Sequence, residues 1–172
     1  QSLVLDQKGN VILLTRAPDL RQAQNTSNIE DIRIWVDKDG INPTDDLKQI
    51  LNELDLKGGN IGVEYEAYGM TGRNALRLNK SLDNYCKVED QSELITKLRV
   101  IKSNEELVYV RKAAELADKA LDEAWKHSKA GANEAKILAE MQKAVLEGGG
   151  DYPANEYIIG SGSNALLCRY QS

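Results

Sequence analysis

Leu98-Arg-Val-Ile-Lys-Ser-Asn-Glu-Glu-Leu-Val-Tyr-Val-Arg-Lys-Ala-Ala-Glu-Leu-Ala-Asp118 separates two parts of different character. Ser103, followed three residues on by Glu106, fits a capping box, in which hydroxyl and carboxylate each accept from an orphan N–H at a helix start. Behind it Leu107, Val110, Ala114, Ala117, Leu121 and Trp125 recur at three- and four-residue steps. That spacing predicts one long helix with an apolar stripe, ending near Gly131. Asn133 is placed to cap a second helix carrying Ile137, Met141, Ala144 and Val145 on its apolar face, and Gly148-Gly-Gly150 stops it. Tyr157-Ile-Ile159 predicts a strand, Gly160-Ser-Gly-Ser-Asn164 a turn, and Ala165–Tyr170 a further strand.

Upstream of the quoted stretch, strands alternate with helices. Ser2–Leu5 and Val11–Thr15 flank Asp6-Gln-Lys-Gly-Asn10, a hairpin with Gly9 in its turn. Residues 20–30 are polar, rich in Gln and Asn, and read as loop. Ile32, Ile34 and Val36 alternate with Arg33 and Trp35 in a strand closed by Asp37-Lys-Asp-Gly40. Asn42-Pro43 opens a helix, because proline is tolerated where the first turn needs no N–H. Leu47, Ile50, Leu51 and Leu54 carry that helix to Gly58-Gly59. Ile61-Gly-Val63, a helix over Thr71–Leu82 and a strand over Tyr85–Val88 complete an α/β half. The character changes near Ser92 and a domain boundary is expected near residues 92–103, so the chain reads as two domains, 1–92 and 93–172.

The chain has 172 residues, 41% hydrophobic and 28% charged, enough for one ordinary domain or two small ones. Twenty-two Lys and Arg against 27 Asp and Glu leave a net charge of −5, which argues against nucleic-acid or anionic-membrane partners. No run approaches the roughly 20 apolar residues of a membrane span. Two cysteines, Cys86 and Cys168, make no disulfide framework and point to a reducing, cytoplasmic setting. With Gln1 first and no closing cap at Ser172, the sequence reads as part of something longer.

Few residues invite chemistry. Gly160-Ser-Gly-Ser-Asn-Ala165 has G-x-G-x-x-A spacing, but a strand follows it where a dinucleotide site needs a helix, so it reads as a β-turn. No Lys follows these glycines, which excludes a P-loop. His127, the single histidine, lies near the end of the long helix, where a cation suits the helix dipole and no ligand partners are evident. Asp37, Asp39, Asp45 and Asp46 match no calcium loop. Glu115, Asp118, Glu123 and Glu140 read as solvated helix faces. Arg169, between Cys168 and Tyr170 among apolar neighbours, is a candidate clamp for a carboxylate, with a structural ion pair as the competing reading.

The run from Leu98 to Asp118 strongly resembles the interdomain junction of the creatinase/prolidase family, whose "LR-x-IKS-x-EE" motif leads into the first helix of a pita-bread catalytic domain. The Ala130-Gly131 turn, the Glu147-Gly148 helix end and Tyr157-Ile-Ile-Gly-Ser-Gly-Ser-Asn164 match in order, and Ile61-Gly-Val-Glu64 resembles a strand of the family's amino-terminal domain. The resemblance implies a creatinase-type amino-terminal α/β domain over 1–92, followed over 93–172 by two helices and strands that begin an α+β pita-bread domain. It implies a parent enzyme that is a homodimer and holds two divalent metal ions through residues outside this segment. On that resemblance, no ligand of this two-metal centre is expected within residues 1–172.

One departure bears on activity. Where the proline peptidases carry a substrate-contacting His in a pattern like L-H-Y, this chain reads Leu167-Cys168-Arg169-Tyr170. Arginine shuttles no proton near neutral pH but holds a carboxylate. Substrate-binding expectations therefore fall on Arg169, Tyr170 and Asn164, with the catalytic residues downstream. The expected function of the parent is hydrolysis of a C–N bond in a proline-type dipeptide or small amide. The alternatives are a branch acting on a small carboxylate zwitterion (dimethylsulfoniopropionate lyase, ectoine hydrolase or creatinase type) and an inactive binding member. The segment alone is expected to be inactive.

Overall fold

The computed structural model describes residues 1–167. The chain forms two compact units that divide between Val100 and Ile101.

The first unit opens with the expected hairpin. Strands β1 (Ser2–Leu5) and β2 (Val11–Arg16) pair antiparallel, with Val4 opposite Ile12. The Asp6 carboxylate closes the turn by accepting from the Lys8 and Asn10 amides at 2.8 and 2.9 Å. Gly9 takes φ +86, a left-handed conformation open to it without a Cβ. Strand β3 (Asp31–Trp35) pairs parallel to β2. Parallel neighbours cannot be joined by a tight loop. The segment between them is accordingly a 3-10 turn over Ala17–Asp19 and helix α1 (Leu20–Thr26), which corrects the loop expected over residues 20–30. This helix buries none of its residues, so no apolar stripe announces it. The alternation in β3 is also the reverse of a simple reading: Ile34 is exposed, while Trp35 packs against Ile12, Leu14 and Ile50.

Helix α2 (Pro43–Glu53) follows its Asn42 cap, whose side chain accepts from the Thr44 amide at 3.4 Å. Ile50 and Leu51 are adjacent, so their side chains point about 100° apart around the axis. Ile50 enters the cluster of Ile12 and Leu14; Leu51 enters that of Leu78, Leu82 and Tyr85. One helix thus serves two core patches. Strands β4 (Asn60–Val63) and β5 (Lys87–Asp90) pair parallel, joined through α3 (Gly72–Leu82), which Thr71 caps. β5 begins two residues later than the expected Tyr85 start. Asn84 takes φ +55 and the Tyr85 amide donates to the Leu82 carbonyl at 3.0 Å, so Tyr85 and Cys86 belong to the turn. Helix α4 (Leu94–Val100) closes this unit.

The second unit is a helical hairpin. α5 (Asn104–His127) starts at the capping box: the Glu106 amide donates to Ser103 Oγ at 3.2 Å, and the Ser103 amide to Glu106 Oε2 at 2.8 Å. α6 (Glu134–Glu147) starts at Asn133, whose side chain accepts from the Ala135 and Lys136 amides. The seam of α5 buries Leu116 and Ala120, whereas Val110, Leu121 and Trp125 of the expected stripe are exposed. The expected strand over Tyr157–Ile159 is irregular, because a strand exists through its ladder and none forms there among the described residues. Gly162–Leu166 is a 3-10 turn, which corrects the expected strand start at Ala165.

Candidate functional site

Of the three substrate-binding expectations, the structure describes Asn164; Arg169 and Tyr170 lie outside the described residues. Asn164 sits half-buried in the 3-10 turn, its amide donating to the Ser161 carbonyl at 3.1 Å and its carbonyl accepting from Leu167 at 3.0 Å. Gly160 lies directly against this backbone: a Cβ there would meet the Asn164 carbonyl oxygen at 2.8 Å. Ser161 Oγ donates to Glu134 Oε2 at 2.8 Å, which ties the loop to the first turn of α6. The G-x-G-x-x-A run therefore opens a pinned 3-10 turn in place of the expected β-turn and strand start.

In the first unit a cavity of about 820 Å³ lies along β1 and β4, with Val4, Leu51, Ile61, Val63, Leu78 and Leu82 in its wall. Asp6, Lys8, Asp55 and Glu64 also line it. Cys86 is half-buried and burial pushes its thiol up, so it is held protonated and unreactive. Tyr85 donates from its hydroxyl to Asn52 Oδ1 at 2.8 Å, and Lys48 Nζ stands 5.0 Å from the ring centre. Arg33 reaches Asp31 at 2.9 Å and also pairs with Glu53 of α2, and both carboxyls are held below their usual values by that guanidinium. These contacts brace the unit. Sequence reading missed the Tyr85–Asn52, Lys48–Tyr85 and Arg33–Glu53 contacts because their partners come from different elements.

One cluster of metal-ligating groups forms among the described residues. Glu123, His127 and Glu140 each place a ligand atom within 4.8 Å of the others'. His127 Nε2 is 3.2 Å from Glu123 Oε2, and Lys126 Nζ stands 3.1 Å from the same carboxylate. The solvated faces expected for Glu123 and Glu140 are in fact half-buried and meet at the α5–α6 seam.

Comparison with known proteins agrees with this architecture. Residues 1–101 match the model of the creatinase/prolidase amino-terminal domain, and residues 108–172 that of metallopeptidase family M24. An Xaa-Pro dipeptidase of Pyrococcus furiosus is 32% identical over 88 residues, covering 51% of this chain and 25% of that protein. An uncharacterized hydrolase/peptidase of Sinorhizobium fredii is 27% identical over 143 residues, 80% of this chain and 36% of its own length. The prolidase structure from Pyrococcus horikoshii superposes with a TM-score of 0.67 at 24% identity, covering 93% of this chain and 42% of that one. The chain thus spans about a quarter to two fifths of the length of these relatives. With a creatinase-type amino-terminal domain leading into the start of a pita-bread domain, the chain belongs to the creatinase/prolidase family.

Proposed function

We propose that the polypeptide to which these residues belong is a metal-dependent Xaa-Pro peptidase that hydrolyses the C–N bond before proline in a dipeptide. The observation that carries this reading is the succession of the two family matches in one chain, joined to 32% identity with an Xaa-Pro dipeptidase. Two divalent ions in the whole protein would polarise the scissile carbonyl. The described residues do not fit such a centre: the single three-donor cluster among them, Glu123, His127 and Glu140, has too few ligands to clamp two ions about 3.5–4 Å apart. No step is assigned to it.

This segment serves the substrate side. Arg169 is read as the clamp for the free carboxylate of the dipeptide, with Tyr170 and Asn164 as further substrate-binding residues. A planar guanidinium meets a carboxylate through two parallel N–H bonds, which fixes the substrate in register. A cytoplasmic homodimer is the setting we infer. The test uses the full-length protein with alanyl-proline, with and without added divalent metal. Metal-dependent release of proline is expected, and Arg169→Ala should raise KM at least about tenfold, the effect of losing roughly 1.4 kcal/mol of ground-state binding. No hydrolysis with any divalent metal would sink the peptidase reading. Unchanged KM would sink the clamp alone.

A further inference from the structure

We propose that Glu123, His127 and Glu140 form a binding site for one divalent transition-metal ion, zinc in the first instance, across the α5–α6 seam. Glu123 and His127 are four residues apart on α5 and so share a face. The short connection after His127 folds α6 back along α5, which brings Glu140 to that face. Two carboxylates and one imidazole are a donor set that zinc accepts, leaving a fourth position for water. Hard cations such as calcium and magnesium take oxygen and do not favour the imidazole.

The spacing fits an ion. Donors about 2.0–2.2 Å from a tetrahedral zinc lie about 3.4 Å from each other. His127 Nε2 and Glu123 Oε2 already stand at 3.2 Å. All three ligand atoms lie within 4.8 Å, so closing the set takes a side-chain adjustment and no movement of the helices. The three side chains are 27–40% exposed, enough for an ion to enter and enough cover to hold them in place. Lys126 and Lys143 now neutralise the two carboxylates. Both lysines are more than half exposed, so a doubly charged ion displaces them into water at little cost.

The test follows one imidazole. In the full-length protein labelled with nitrogen-15, the ring signals of His127, identified by their loss in His127→Gln, are followed while zinc chloride is added in a non-chelating buffer. The expected result is a shift of the His127 Nε2 resonance that saturates with added zinc, with calcium chloride leaving it unmoved. Glu140→Gln should weaken the midpoint about tenfold or more, since even outer-shell changes cost 10–100-fold. Its circular dichroism should match the parent's. An imidazole spectrum unmoved at millimolar zinc would overturn the proposal. So would an equal response to calcium, or an unchanged midpoint in Glu140→Gln, which would mean an imidazole acting alone.

Discussion

Gly148→Ala tests how the α5–α6 hairpin is packed. Gly148 has φ −75 and ψ 0, a conformation any L-residue adopts, so backbone strain plays no part. Considered alone, alanine would help, because it narrows the unfolded ensemble by about 0.4–1 kcal/mol. The space is the difficulty. A Cβ at this position would overlap Leu116 Cδ2 and stand 3.1 Å from the Ala144 carbonyl oxygen. Leu116 is only 6% exposed. Its other methyl, Cδ1, stands 2.9 Å from where a Cβ on Gly150 would be, so this leucine fills the space that both glycines leave. Overpacking of this kind costs about 1–3 kcal/mol. Set against the entropic gain, the net expectation is a loss of about 1–2 kcal/mol. Urea unfolding followed by far-ultraviolet circular dichroism reads it as a lower midpoint at constant slope. The control is Leu116→Val, which deletes both Cδ atoms for about 1 kcal/mol. In that background Gly148→Ala should become neutral or slightly stabilising, a coupling of about 1–2 kcal/mol. Gly148→Ala as stable as the parent, or costing the same in both backgrounds, would refute the packing argument.

Two other expectations concern electrostatics and capping. Ser103→Ala removes the acceptor for the Glu106 amide and should cost about 1 kcal/mol, with Ser103→Asn recovering most of it. Equal losses in the two variants, measured by thermal unfolding, would mean the cap contributes nothing. Arg33→Gln should lower stability at neutral pH by an amount that fades on acidification. Arg33 depresses the carboxyls of Asp31 and Glu53 in the folded state, so its contribution is present above their unfolded values of about 3.9 and 4.3 and is lost as pH falls through the lower folded ones. Urea midpoints of the two proteins that stay equally far apart from neutral pH down to strong acid would rule this out.

How much could be read in advance follows from how local each cause is. The β1–β2 turn, the helix start at Asn42-Pro43, the Ser103–Glu106 box and the Asn133 cap are decided within a few residues, and all stand where the sequence places them. Helix α1 was illegible because its cause is remote: β2 and β3 pair parallel, so a crossover must lie between them whatever its composition. The β5 start was misplaced because Asn84 adopts a left-handed turn that Tyr85 and Cys86 complete, although both look strand-like. The expected strand over residues 157–159 fails for a third reason, since backbone pairing is a property of two segments and periodicity describes only one.

The same distinction governs the sites. Asn164 has a defined setting because Gly160 and the Ser161–Glu134 hydrogen bond pin its turn, a link across 27 residues that no spacing rule contains. Its role at a substrate rests on resemblance, as does that of Tyr170, whereas Arg169 is a carboxylate candidate on its own neighbours and chemistry as well. The α5 helix shows what local reading can and cannot do. Its three- and four-residue periodicity correctly announced a helix, yet Leu116 and Ala120, beside the expected stripe, make the buried seam. A helix with apolar residues on more than one side does not say which side its neighbour will take. Once α6 chooses the Leu116 side, Glu123 and His127 are carried to the same seam and meet Glu140 there. The choice that buries two apolar residues therefore also assembles two carboxylates and the only imidazole of the chain.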